Sequence, residues 1–227
     1  MRSQELDLTR YDTDKVANRY LDRYDPVFAP LVNEKIKLLE VGVFKGGSLA
    51  LWHDYFPQAT IVGIDRELPP GPLPSERVST FEGSQADPQF LSEVARKTAP
   101  EGYDVIIDDA SHIGQLTRVT FWHLFDHHLK PGGLYVVEDW GTGYWDDWPD
   151  GKCVSAGTPF PPPAVPPGKA PWPNHSHGMV GFVKELVDEQ GAENLTRRTF
   201  SGKGRPSKFE SVLVTHGIVF VRKASSA

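Results

Sequence analysis

The sequence predicts an α/β fold on a mostly parallel sheet, and three observations carry that prediction. Apolar runs of strand length alternate with helix-length segments between residues 36 and 138, the pattern of βαβ units. Two of the runs end abruptly in acids: Val105-Ile106-Ile107 meets Asp108-Asp109, and Leu134-Tyr135-Val136-Val137 meets Glu138-Asp139. Charge so placed falls at the carboxyl edge of a sheet, where open α/β folds bind ligands. A glycine-rich turn, Gly42 to the Gly46-Gly47 pair, follows the first run and opens a helix.

Residues 1–33 read as helical and amphipathic, because Val16, Tyr20 and Tyr24 recur at a spacing of four. Pro26 marks a break or a new helix start. Strands are expected at 36–41, 60–64, 78–81, 103–107 and 134–138, and helices at 48–56, 87–97 and 113–129. Asp87 is the expected N-cap of the second of these helices, with Pro88 at its first position. Residues 68–76, with four prolines and a glycine, form a loop. Lys130-Pro131-Gly132-Gly133 reads as the turn into the fifth strand, and crossovers should be right-handed. Past Asp139 the texture changes: residues 159–173 hold eight prolines, which excludes regular helix and central strand. That stretch is either a solvated linker or a loop covering the acid-ended edge. A helix at 182–190 and a hairpin of 210–214 with 218–222 around Thr215-His216-Gly217 close the chain. The expectation is one domain, 1–227, with a helical cap over 1–33 and a proline-rich insert or lid over 140–177.

A length of 227 residues suits one elaborated α/β domain. The net charge of -6 argues against a nucleic-acid partner. The single cysteine, Cys153, cannot form an internal disulfide, which points to a reducing compartment. Residues 1–30 lack the apolar core of a signal peptide, and no stretch approaches the roughly 18 apolar residues of a membrane span. A cytoplasmic protein with neither a membrane nor a nucleic-acid partner is expected.

Acids as crowded as Asp108, Asp109, Glu138 and Asp139 repel unless a cation joins them or one stays protonated. With His112 beside them they indicate a metal site, a proton-transfer site, or both. The glycine turn lets a ligand approach backbone N–H groups at a helix start. Asp65, 25 residues beyond Glu40, ends the second strand where an acid accepts hydrogen bonds from both ribose hydroxyls. The dinucleotide spacing G-x-G-x-x-G is absent. Glu40 at the strand end would repel a pyrophosphate, but it suits a cationic ligand with an amino group such as S-adenosylmethionine. Blander readings exist for each residue. His112 could cap a helix, and Glu138-Asp139 could hold local N–H groups. His123, His127 and His128 suit packing or surface, and His175 and His177 a flexible polar loop rather than a metal. Trp140, Tyr144, Trp145 and Trp148 could stack on a sugar or aromatic ring, or simply pack.

The stretch 40–48, Asp65, the stretch 108–112, Lys130-Pro131-Gly132-Gly133 and Glu138-Asp139 together resemble class I S-adenosylmethionine-dependent methyltransferases. Within these the chain is similar to the metal-dependent sugar O-methyltransferases of macrolide biosynthesis, of the macrocin and mycinamicin type, and to cephalosporin-hydroxylase-like proteins. Tyr11-Asp12-Thr13-Asp14-Lys15 resembles their YGTDK segment, with Asp12 in place of glycine, and 178–188 resembles their late helix. The resemblance covers about residues 8–223 and implies a Rossmann-like methyltransferase fold. By it, Glu40 and Gly42 would line the methionine part of the cofactor, Asp65 would bind the ribose, and Ser84 and Gln85 would lie near the adenine. Ser48 and Arg66 would also bind the cofactor. Thr13 and Lys15 would close over the cofactor, and Asp108 would face cofactor or metal. Asp109, Glu138 and Asp139 would be the metal ligands and His112 the catalytic base. Three carboxylates without thiolates suit Mg²⁺ first and Mn²⁺ second. The implied activity is methylation of a hydroxyl on a small molecule, a sugar of a natural product. The rivals are a metal-independent methyltransferase, a cofactor-binding protein without turnover, and a dinucleotide-dependent oxidoreductase. The family also allows a dimer or higher oligomer.

Overall fold

The computed structural model describes residues 1–71, 73–155 and 175–225; the proline-rich run at 159–173 lies outside them. One sheet contains β1 (Lys37–Val41), β2 (Thr60–Asp65), β3 (Val78–Glu82), β4 (Tyr103–Asp108), β5 (Leu129–Glu138), β6 (Phe209–Val214) and β7 (Ile218–Lys223). The order is β3-β2-β1-β4-β5-β7-β6. Pairings from β3 through β5 are parallel, and β7 runs antiparallel to both neighbours. The chain therefore reverses its direction of travel between β1 and β4. Such a switch point opens a crevice at the carboxyl ends of those two strands. The helices are α1 (Asp14–Ala17), α2 (Leu21–Phe28), α3 (Gly47–Tyr55), α4 (Pro88–Thr98), α5 (Gly114–His127), α6 (Pro149–Ser155), α7 (Gly178–Gln190) and α8 (Ala192–Thr196).

Both faces of the sheet are covered, which is why its central strands read as unbroken apolar runs. Leu38, Val105, Ile107 and Val136 pack with Tyr24, Phe28 and Trp52 of α2 and α3 on one face. Leu39, Ile106, Tyr135 and Val137 pack with Phe121, Phe125, Phe182 and Leu186 of α5 and α7 on the other. The buried stripe of α5, with Thr117, Thr120, Phe121, Leu124 and Phe125, follows the helical period.

Most predicted elements stand within a residue or two, and Asp87 caps α4 by accepting from Gln89 N at 3.0 Å and Phe90 N at 3.1 Å. Three expectations are corrected. Residues 1–33 do not form one amphipathic helical run: Arg19 takes a left-handed backbone (φ 56°) that separates α1 from α2, so Val16 and the two tyrosines sit on different elements. Pro26 lies inside α2 rather than breaking it. The neighbouring Asp25 ties this helix to the rest of the chain, accepting from Ser3 N (3.1 Å), Ser3 Oγ (2.5 Å) and Tyr55 OH (2.7 Å). Lys130-Pro131-Gly132-Gly133 is no turn into β5. The strand runs through it, and the register shift between the Tyr103–Leu129 and Val105–Leu134 pairs absorbs the extra residues as a bulge.

Beyond Asp139 the described part of the expected insert is helical, a 3₁₀ turn at Trp140–Tyr144 followed by α6. Asp150 pins it down. Its Oδ2 accepts from Gly114 N and Met179 N, both at 2.8 Å, so one buried carboxylate serves the first turns of α5 and α7. Among the described residues no helix is long and apolar enough to cross a membrane.

Candidate active site

Side chains alternate across a strand, and this sorts the acids at the sheet edge. Glu40, Asp109 and Glu138 are each two residues beyond Leu38, Ile107 and Val136, which pack toward the N-terminal segment. Asp108 follows Ile106, on the opposite face. The first three converge on one cation. Lys15 Nζ lies 2.5 Å from Asp109 Oδ2, 3.1 Å from Glu138 Oε2 and 3.5 Å from Glu40 Oε1, with its side chain fully buried. Burial alone would drive the proton off this ammonium. The charges of Asp109, Glu138 and Glu40 outweigh it and hold the lysine well above its ordinary pKa. Glu138 is pushed up by burial and by Asp109, against the pull of Lys15. Burial also raises Glu40, which accepts from Ser48 Oγ at 2.7 Å and Trp52 Nε1 at 3.0 Å.

Two phenols complete this shell. Tyr24 OH donates to Glu138 Oε1, and Tyr20 OH donates to Asp139 Oδ1. Burial and the adjacent carboxylates raise both phenols far above the ordinary tyrosine range, so both remain donors. Tyr20 is seated against the β6–β7 turn, where a Cβ on Gly217 would fall 2.3 Å from its hydroxyl.

Asp109, His112 and Asp139 each bring one ligand atom within 4.8 Å of the others. His112 Nε2 lies 3.8 Å from Asp109 Oδ1 and 3.8 Å from Asp139 Oδ2. His112 and Asp139 both adopt the left-handed backbone, at φ 52° and 54°. Asp and His are among the non-glycine residues that tolerate it, and such strain gathers at functional sites. It swings Asp139, out of phase with Glu138, to the side of His112.

A cavity of about 890 Å³ runs from the glycine turn to His112, within the usual range for small-molecule sites. Thr13, Gly42, Ser48, Asp65, Arg66, Ser84, Gln85, Asp109, His112 and Trp148 all line it. Gly42, at φ +102°, passes so close to β4 that a Cβ would meet Asp109 O at 2.1 Å; no other residue fits this cradle. Asp65 Oδ2 accepts from Val43 N at 2.8 Å and Phe44 N at 2.9 Å, which shapes the turn. Gln85 joins the two sides of the floor, accepting from Ser111 N and donating to Thr120 Oγ1, each at 3.2 Å.

Three residues expected at the cofactor do not line the cavity. Lys15 and Glu40 are sealed within the acid cluster. Asp108 sits on the far face, where Tyr135 OH donates to it at 3.1 Å and burial pushes its carboxyl up to about 7. Of the expected metal ligands, Asp109 and Asp139 meet beside His112, while Glu138 turns to Lys15 and Tyr24. The spacing of four between Tyr20 and Tyr24 marks a helix face but carries no signal of their hydroxyls' place at the acids. Of the aromatics that follow Glu138-Asp139, Trp148 lines the cavity, its ring centroid 5.2 Å from that of His112. Trp140 Nε1 instead donates to Thr215 O at 3.0 Å, and Tyr144 packs on His175. His123 and His128 share Ser92 Oγ at 2.8 and 2.9 Å, away from the cavity.

No protein-family model matches the chain. Mycinamicin VI 2''-O-methyltransferase of Micromonospora griseorubida is 38% identical over 225 residues, which cover 95% of this chain and 51% of that protein. Demethylmacrocin O-methyltransferase of Streptomyces fradiae is 31% identical over 231 residues, covering 93% and 53%. The fold matches the solved MycE methyltransferase from the mycinamycin biosynthetic pathway in complex with Mg and SAH, with a TM-score of 0.69, 30% identity, and coverage of 89% of this chain and 49% of that one. The chain is a homologue of the macrocin- and mycinamicin-type sugar O-methyltransferases. Its sheet is the Rossmann-like methyltransferase fold of that group, antiparallel only at its C-terminal strands. The chain spans about half the length of the curated relatives it matches.

Proposed function

We propose that the chain is an S-adenosylmethionine-dependent, metal-dependent O-methyltransferase acting on a hydroxyl of a small molecule, a sugar of a natural product. The supporting observation is a single cavity that joins Asp65 and the glycine turn at one end to Asp109 and His112 at the other. The relatives' substrates, a mycinamicin and a demethylmacrocin, supply the acceptor class.

The residues fit both groups. Asp65, the Gly42 cradle and Gln85 offer a nucleoside an acid, close backbone and an amide. Asp109 and Asp139 offer a hard divalent cation oxygen ligands, with Glu138 behind them on the same edge. S-adenosylmethionine would supply a methyl group already activated by its sulfonium, and a divalent cation Lewis-acid polarisation of a hydroxyl. Alignment and deprotonation remain for the protein. His112 accepts the acceptor's hydroxyl proton at Nε2, which lies 3.8 Å from both Asp109 Oδ1 and Asp139 Oδ2. The Trp148 ring beside it offers an apolar face to a sugar.

Calorimetric titration with S-adenosylhomocysteine, followed by turnover of glycosylated acceptors with Mg²⁺ or EDTA, tests this reading. Absence of S-adenosylhomocysteine binding would remove the methyltransferase assignment. Full turnover in EDTA would remove the metal.

A further inference from the structure

We infer that Lys15 is a resident counter-cation of the acid site: its ammonium holds Glu138 and shares Asp109 with the divalent ion, and so weakens that ion's binding. The inference rests on the metal reading above. It departs from the expectation that Lys15 closes over the cofactor, because the Lys15 side chain is fully buried and does not line the cavity.

The other described hydrogen-bond donors to these carboxylates are neutral: Tyr24 on Glu138, Tyr20 on Asp139, and Ser48 with Trp52 on Glu40. Neutral donors satisfy lone pairs but leave the repulsion among the acids uncompensated. Lys15 supplies the compensating charge, with three carboxylate oxygens within 3.5 Å. Asp109 is the shared residue. Its Oδ2 is 2.5 Å from the ammonium, and its Oδ1 faces His112 at 3.8 Å within the group that includes Asp139. A divalent ion drawing on Asp109 meets a carboxylate already half neutralised and a like charge close behind it. The lysine reaches this position from α1, whose N-cap Thr13 accepts from Lys15 N at 3.4 Å and itself lines the cavity.

The test measures Mn²⁺ and Mg²⁺ affinity of the full chain by calorimetry and by Mn²⁺ electron paramagnetic resonance, for wild type and Lys15→Met. The variant is expected to bind Mn²⁺ roughly tenfold tighter or more, to melt at lower temperature without metal, and to bind S-adenosylhomocysteine within about twofold of wild type. Unchanged or weaker Mn²⁺ binding by the variant, with wild type binding normally, overturns the inference. So does a loss of S-adenosylhomocysteine affinity with metal affinity unchanged, which would make Lys15 a cofactor clamp. If Lys15→Met does not fold, Lys15→Met/Glu40→Gln removes one charge of each sign. It is still expected to bind Mn²⁺ several-fold tighter than wild type, because Asp109 is released; wild-type affinity in this variant overturns the inference. Wild type that binds no metal overturns the metal reading, and this inference with it.

Discussion

At the glycine-turn end of the cavity, Asp65 is satisfied by backbone N–H groups only 21 and 22 residues earlier in the chain. At the acid end, Asp109, Glu138 and Asp139 are satisfied by the side chains of Lys15, Tyr20 and Tyr24, from 94 to 123 residues away. The first arrangement follows from neighbouring βα units and needs no particular side chain beyond the acid. The second exists only when the N-terminal segment docks against the sheet edge. It must also handle several carboxylates at once, which the first does not. The nucleoside end is thus built by local backbone geometry, and the chemical end by long-range docking of charge and hydroxyl partners.

The strongest test of this contrast is His112→Ala. It should lower turnover by about 10²–10⁴-fold in steady-state assays with Mg²⁺, while S-adenosylhomocysteine affinity stays within about twofold, since the two ends do different jobs. Equal losses in both would dissolve the distinction. Asp65→Ala should do the reverse, weakening S-adenosylhomocysteine by roughly tenfold or more through lost charge-assisted hydrogen bonds, with metal affinity preserved in the same calorimeter. Tyr24→Phe probes the long-range shell directly. It leaves a buried oxygen of Glu138 without its donor, and urea denaturation should register a loss of about 1–3 kcal/mol. If stability is unaffected, the phenol does not hold the acid.

The smallest expected effect lies away from both ends. Burial, then His123 and His127, hold the His128 imidazole at about 4, below its ordinary 6.5. The folded state therefore binds this proton less readily than the unfolded one. Stability falls as pH drops from about 6.5 toward 4. His128→Asn should flatten that part of a melting-temperature profile slightly, leaving both ends of the cavity as they are; an unaltered slope would mean His128 is not strained by its surroundings.

The legible parts of the site share a physical character. Apolar runs that stop in acids, the glycine turn and Asp65 are statements about adjacent residues, and each keeps its place in the structure. The two-residue period within strands even contained the separation of Asp108 from Asp109, because Ile106 and Ile107 already face opposite layers. The illegible parts depend on remote docking. Tyr20 and Tyr24 read as one face of a helix, yet a left-handed Arg19 sets them on a separate element, where their hydroxyls meet acids more than a hundred residues on. In the sequence Asp150 is one acid near an aromatic stretch, and only the meeting of α5 and α7 makes it their shared cap.

By itself the sequence determined the strand order along the chain, the acid-ended edge, the glycine cradle and the homology to sugar O-methyltransferases. These rest on periodicity, local turn chemistry and motif. Only the tertiary structure decided how the acids divide. Asp109 and Asp139 meet beside His112, Glu138 and Glu40 lie sealed behind them, and Asp108 is turned to the far layer. The reason is that a buried carboxylate must be answered by whichever donor or cation packing brings to it, and here packing brings Lys15 and two tyrosines from the opposite end of the chain.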